Sequence, residues 1–172
     1  MIEIPVEGRS RETKIRRDAR GRWYDDDVPI THEALCRAFD GWIERADDGR
    51  YCLKNEINWA YVTIEGPPVL ARALVVLDLD APSVRLVLSG DREESLDLAT
   101  LREGPDGDLY CDVRGGTLPC RLTAPAMMAL SEHLHDDGSG TVLWLGATRV
   151  RPPRVSDPLV PFRAAVVERA PA

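Results

Sequence analysis

No stretch of the 172-residue chain approaches the ~18 consecutive apolar residues that a membrane-crossing helix requires; apolar runs such as Ala73–Leu77 are strand-sized. A basic excess is missing too. The formal net charge is −7, which argues against whole-chain attraction to nucleic acid and for solubility. The four cysteines, Cys36, Cys52, Cys111 and Cys120, form no C-x-x-C pair, so the spacing of a zinc site is absent. They read as small buried hydrophobes of a reduced protein. The opening Met1–Pro5 has neither the charged nor the apolar region of a secretory signal, which makes the cytoplasm the expected location.

Catalytic signatures are equally scarce. There is no G-x-x-x-x-G-K-[ST] loop and no G-x-G-x-x-G after a strand, which argues against an ATPase or a dinucleotide oxidoreductase. No serine sits in a nucleophile elbow, and no cysteine pairs with histidine at a recognisable spacing. Asp25-Asp26-Asp27 lacks the spacing of a calcium loop and reads as a polar turn. His133 and His135 lie two residues apart, so on a helix they diverge rather than converge on a metal. No catalytic group, metal or cofactor is expected, and an enzyme is the lesser reading.

What the chain does have is an internal echo. Gly21-Arg22-Trp23-Tyr24 is answered by Gly107-Asp108-Leu109-Tyr110. Thr31 and Thr123 each precede a helical pattern, and Asp47-Asp48-Gly49 and Asp136-Asp137-Gly138 each follow one. In the first pattern Ala34, Leu35, Ala38, Phe39, Trp42 and Ile43 recur at three- and four-residue steps. They form one apolar stripe, which predicts a helix over 31–46, N-capped by Thr31. Asp40 lies off the stripe. The second pattern, capped by Thr123, carries Met127, Leu130 and Leu134.

Strands are predicted around these helices. Trp59–Glu65 alternates, with Val62 and Ile64 on a core face and Tyr61 and Glu65 opposite. Val69–Leu79 reads as a buried strand, and Leu96, Leu98 and Leu101 suggest an irregular one. Gly115-Gly116 is a hairpin-type turn between strands at 108–113 and 117–122. Thr141–Val150 is a further strand. Two helices among roughly nine strands, with strands in runs, indicate an α+β fold. The expected division is a basic arm over 1–17, an N-terminal α+β repeat over 18–68, a C-terminal repeat over 69–150 and a tail over 151–172. That tail holds five prolines, and 161–167 in it could add an edge strand.

Several blocks resemble the bacterial family of domain of unknown function 1285. Asp18–Trp23 is similar to the family's opening D-G-x-W, and Ile30-Thr31-His32 to its helix start. Asp48-Gly49-Arg50-Tyr51 is similar to its acidic-glycine turn. Residues 55–69 align with its central block, where Glu65 and Pro68 match and Ile57, Val62 and Ile64 exchange for other aliphatics. Tyr110–Arg114 with Gly116 and Leu118 is similar to Y-x-x-V-R-x-G-L, and Trp144 and Gly146 to a late W-x-x-G element. Asn55, Glu56, Asn58 and Gly66 depart from polar or turn positions of the family, as do His32 and Ala124 where its helices carry arginine. The resemblance covers about 18–150. It implies two similar subdomains, each a small antiparallel sheet with one main helix. It also implies a C-terminal half like a pleckstrin-homology arrangement, and a ligand site between the halves for a nucleotide-like molecule in signalling.

A phosphate-bearing ligand needs cationic forks and stacking faces. The residues that could supply them are Arg114 and Arg121 beside the glycine turn, with Tyr110, Trp144, Tyr61 and, on the strand face of Tyr61, Glu65. The leading expectation is a cytoplasmic ligand-binding module with this set at the seam between repeats. The alternative is a protein–protein adaptor that uses the basic arm and the tail's edge strand.

Overall fold

The computed structural model describes residues 10–171. In chain order, strands β1 (Ile15–Arg17), β2 (Trp23–Asp25) and β3 (Val28–Pro29) precede helix α1 (Glu33–Trp42). Strands β4 (Ile43–Arg45), β5 (Tyr51–Lys54), β6 (Trp59–Tyr61) and β7 (Thr63–Ile64) complete the first half. The second half opens with β8 (Val69–Asp78), β9 (Ser83–Leu88) and β10 (Arg92–Ser95), then a 3-10 turn over Leu98–Thr100. It continues with β11 (Arg102–Glu103), β12 (Leu109–Val113), β13 (Leu118–Leu122) and helix α2 (Ala124–Leu130). After a 3-10 turn at Ser131–His133 come β14 (Leu134–Asp136), β15 (Thr141–Leu145), β16 (Thr148–Arg151) and β17 (Val166–Arg169).

The fold is therefore α+β, as the patterning predicts. Four sheets have the orders β3-β2-β1-β7, β4-β5-β6, β10-β9-β8-β13-β12-β11 and β14-β15-β16-β17. Each half carries a hairpin, a helix, a short strand, an Asp-Asp-Gly turn and a returning strand. One hydrophobic core runs through both halves, from Trp23, Ile43 and Leu53 through Val69, Leu86 and Leu118 to Leu143 and Val150.

Both helices are shorter than the periodicity predicts. α1 stops at Trp42 because Ile43 turns extended, is fully buried and pairs with Leu53 of β5. A β-branched residue with a strand partner gains more there than in another helical turn. His32, not Thr31, caps α1, its Nδ1 accepting from the Leu35 amide at 3.2 Å. Thr123 makes no cap bond; its hydroxyl donates to the Ala71 carbonyl at 2.7 Å and ties α2 to β8. Both Asp-Asp-Gly segments are hairpin turns rather than helix stops, joining β4 to β5 and β14 to β15. Gly49 and Gly138 take φ of +86° and +84° there, a conformation glycine adopts without strain.

Other expectations shift as well. The strand predicted over 59–65 is divided at buried Val62, with β6 beside β5 and β7 parallel to β1. β8 is buried at Val69–Ala71 and Leu74, whereas Val75 and Leu77 are exposed. α2 packs along β8 beyond the short parallel pairing with β13, so a helix covers what would be an open strand edge. Leu98–Thr100 is a 3-10 turn rather than strand, its Asp97 cap accepting from the Ala99 amide. The strand predicted over 141–150 breaks at Gly146, where a Cβ would lie 2.3 Å from the Leu79 carbonyl oxygen.

Residues 1–9 of the basic arm, Arg9 among them, lie outside the described residues; of the rest of the arm, Ile15–Arg17 is β1 and Arg17 is buried. In the tail, β17 is antiparallel to β16, so one of its edges is already used. The segment between them leaves the sheet, pairs with Glu103 through Pro153 and Val155, and returns. Cys52, Cys111 and Cys120 are buried as expected, and the last two face each other across β12 and β13.

Candidate functional site at the seam

The two halves meet where the last turn of α1 abuts the β9–β10 turn. Gly90, at φ +81°, lets the backbones touch; a Cβ there would lie 2.5 Å from the Gly41 nitrogen. Two arginines of the second half then converge on one carbonyl of the first. Arg92 Nη2 donates to Gly41 O at 3.2 Å and Arg114 Nη2 donates to it at 3.1 Å. Cations are favoured at this pole of a helix, where carbonyls lack intrahelical partners.

Arg114 is placed by its own turn. It sits at φ +53° at the end of β12, and its amide donates to Glu94 Oε2 at 2.9 Å. Its Nε has no hydrogen-bond partner and is shielded from solvent. Burial, followed by the repulsion of Arg92, pushes its pKa below the ordinary arginine value, while Glu94 and Glu44 act in the opposite sense.

Beside Arg114 opens a cleft of about 560 Å³, walled by Ile43–Ala46 from the first half and by Thr117, Leu118 and Pro161 from the second. Arg45 forms part of the near wall. Its Nε donates to Thr117 O at 3.3 Å across the seam, its Nη2 donates to the Tyr51 hydroxyl at 3.1 Å, and its guanidinium lies 4.7 Å from the Tyr51 ring centre. Its Nη1 donates to Gly49 O at 3.0 Å. The cleft is thus lined by two arginines from opposite halves, one acidic residue (Glu44) and apolar residues. On the other side of Pro161 lies a second cleft of about 630 Å³, lined by Glu94, Asp97 and Asp112 among others.

The six residues selected from the sequence do not assemble into one site. Only Arg114 reaches the seam. Tyr110 and Arg121 are cross-strand partners on β12 and β13. Tyr110 is buried, donates to Asp106 at 2.8 Å and has its pKa pushed up, chiefly by burial and then by that carboxylate. Arg121 stands 4.0 Å from Asp108. Tyr61 belongs to a separate stack in which Arg50 lies 3.4 Å from its ring centre and its hydroxyl donates to Asp48 at 2.8 Å. Glu65 faces Arg16 at 3.8 Å. Trp144 is on β15, opposite Arg149, whose guanidinium lies 5.5 Å from its ring centre.

Asp137, near Trp144, gathers Arg149, Arg151 and Ser139. The hydrogen bond from Arg151 is the first cause that holds its carboxyl well below the usual carboxylate range. The folded pKa is thus below the unfolded value of about 3.9, so the stabilisation is complete above that value and lost as pH falls through the folded pKa. Asp137→Asn should therefore lower the urea midpoint at pH 7. The gap to wild type should shrink as pH drops below about 4; a gap that persists undiminished at pH 2 contradicts the linkage.

Sequence reasoning missed Arg45, Arg92 and Gly41. Arg45 and Gly41 fall within the segment read as helix but off its apolar stripe, and their partners lie 72 and 73 or 51 residues away. Among the described residues, no group of three or more histidine, cysteine or acidic side chains could hold a metal ion, and no helix is long and apolar enough to cross a membrane.

No family model matches the sequence, and no curated protein matches it. Two solved structures do resemble the fold. A DUF1285 family protein from Silicibacter pomeroyi DSS-3 superposes with a TM-score of 0.63 at 16% identity, over 78% of this chain and 76% of the other. A DUF1285 family protein from Shewanella baltica OS155 gives a TM-score of 0.53 at 16% identity, over 67% of this chain and 87% of the other. Over most of its length the chain thus has the α+β fold of these DUF1285 family proteins, in agreement with the motifs read from its sequence.

Proposed function

We propose that the seam cleft binds a small anionic, phosphate-bearing molecule of nucleotide type, and that the protein acts as a ligand-responsive signalling module. The observation that carries this reading is the approach of Arg45 and Arg114 from opposite halves to one cleft of about 560 Å³. Guanidinium forks suit phosphate oxygens. Ala46 and Pro161 supply accessible apolar surface for a base or sugar, backed by buried Ile43 and Leu118. An anion held between the halves would also tighten the seam that Arg92 and Arg114 already close, which gives binding a structural consequence. The adaptor reading has less support, because the tail that it needs is docked on the protein and only the outer edge of β17 is open.

The test is a thermal-shift screen with nucleoside mono-, di- and triphosphates and with pyrophosphate. A ligand at 100 times its Kd stabilises by about 2.7 kcal/mol, which for a chain of this size raises Tm by about 5–10 °C. Arg114→Gln should reduce the affinity of the active compound at least tenfold. Absence of any shift across the panel, or an equal shift in the variant, counts against the proposal.

A further inference from the structure

We infer that residues 158–165 form a strap that opens as a unit, and that its opening joins the two clefts into one groove. The strap is the far half of a 14-residue excursion whose ends are adjacent, since Arg151 and Val166 are cross-strand partners. Compact loops with close ends and their own side-chain packing are a recurring functional device.

Pro161 is a wall of both clefts, so the strap is what separates them. The first cleft is lined by Arg45 and Arg114 with Glu44; the second is lined by Glu94, Asp97 and Asp112 with Arg163. With Pro161 displaced they form a continuous groove along the β12–β13 hairpin, in which the two linings meet at Arg114 and Glu94, 3.7 Å apart.

The way the strap is held divides it from its root. At the root, Pro153 O and the Val155 amide pair with the backbone of Glu103, and Arg154 bonds the Glu103 carboxylate at 2.9 Å. Beyond Asp157 the attachments are single and mostly through side chains. Arg102 Nε donates to Pro158 O at 2.8 Å, the Phe162 amide donates to Asp112 Oδ2 at 2.7 Å, and the Ala165 amide donates to Ala99 O at 3.0 Å. An exposed ion pair from Arg163 to Asp97 fastens the outer side. Val160 is exposed and no residue from 158 to 165 is fully buried; Pro158, Leu159, Phe162 and Ala165 are half-buried. Segments with few buried apolar contacts open locally at lower free energy than the domain unfolds. This inference does not depend on which ligand the cleft takes.

Amide hydrogen exchange and limited trypsin digestion test it on the full chain. The Phe162 and Ala165 amides should exchange at least tenfold faster than Val155 and than Cys111 in the central sheet. Asp97→Asn loses the charge that holds Arg163 but keeps an acceptor for the Ala99 amide. It should speed cleavage after Arg163 about threefold to fivefold, the range that loss of an exposed ion pair supports. Cleavage after Arg154 should not change. Exchange of Phe162 and Ala165 at the rate of Cys111 would show that the strap opens only with the whole domain, and the inference would fall. Equal acceleration after Arg154 and Arg163, or none after Arg163, would overturn it as well.

Discussion

Asp112→Ala is expected to destabilise the protein by about 3–5 kcal/mol, as removal of one partner of a buried ion pair does. The side chains of Arg102 and Asp112 are 0% and 2% exposed and meet at 2.8 Å. The rest of the guanidinium is satisfied by carbonyls, Nε with Pro158 and Nη1 with Thr100 at 2.9 Å. The second carboxylate oxygen accepts from the Phe162 amide. Alanine would leave a guanidinium face and an amide unpaired in a low-dielectric interior, where each unmet group carries its desolvation penalty. The strap would lose its inner anchor in the same step. Urea unfolding should show a lower midpoint with little change in slope, and Tm should fall by about 6–20 °C. Asp112→Asn, which keeps an acceptor without the charge, should fall between the two. Removing both partners with Arg102→Met and Asp112→Leu should recover much of the loss, because two matched apolar groups leave no charge stranded. A double variant no better than Asp112→Ala would contradict this account of the pair.

Asp40→Ala should be comparably costly, at about 3–5 kcal/mol, with a different optical signature. Asp40 lies on α1 but is buried, and its Oδ1 accepts from both Arg17 Nε at 3.0 Å and Trp23 Nε1 at 2.9 Å. Arg17 is 1% exposed, its Nη2 already lacks a partner, and burial drives its pKa down against the opposing pull of Asp40. Arg72, at 3.8 Å and mostly exposed, is a weak third member. Without the carboxylate, a buried guanidinium and a buried indole N–H lose their acceptor together. Trp23, packed edge-on against Phe39 at 5.2 Å, should then report the change as altered tryptophan fluorescence before the global transition. Asp40→Asn keeps an acceptor for the indole and should spare most of that fluorescence change while still losing stability. Equal spectra for the two variants would show that the Trp23 bond is unimportant.

Asp40 also shows where sequence reading stops. Its position off the apolar stripe of α1 reads as solvated, and nothing local says otherwise. What buries it is Arg17, 23 residues earlier, and Trp23, 17 residues earlier. The helix from Glu33 to Trp42 was legible because a 3.6-residue period is a local property, although Ala34 and Leu35 at the start of its apolar stripe are exposed. The end of α1 was not, because Ile43 leaves the helix for a partner on β5. The Gly115-Gly116 hairpin was legible as a turn, since glycine marks positive φ, whereas the two Asp-Asp-Gly segments read as helix stops and are turns between strands. The tail's prolines suggested an extended segment with an edge strand over 161–167; the strand there is Val166–Arg169. The tail's docking depends on Arg102, 56 residues before Pro158. At the seam, Arg114 stood out beside its glycine turn, whereas its carbonyl acceptor on Gly41 and its companion Arg45 became visible only in three dimensions. The aromatics that looked suited to stacking are engaged elsewhere, Tyr61 by Arg50 and Trp144 by Arg149.

The claim that the seam is a ligand site is tested most directly by calorimetric titration of ATP into the wild-type protein and into the Arg45→Gln, Arg114→Gln double variant. The account predicts one saturable site per chain in the wild type and none in the variant, with the variant still folded by circular dichroism. A wild-type titration without saturable heat, or the same binding curve in the double variant, would contradict it.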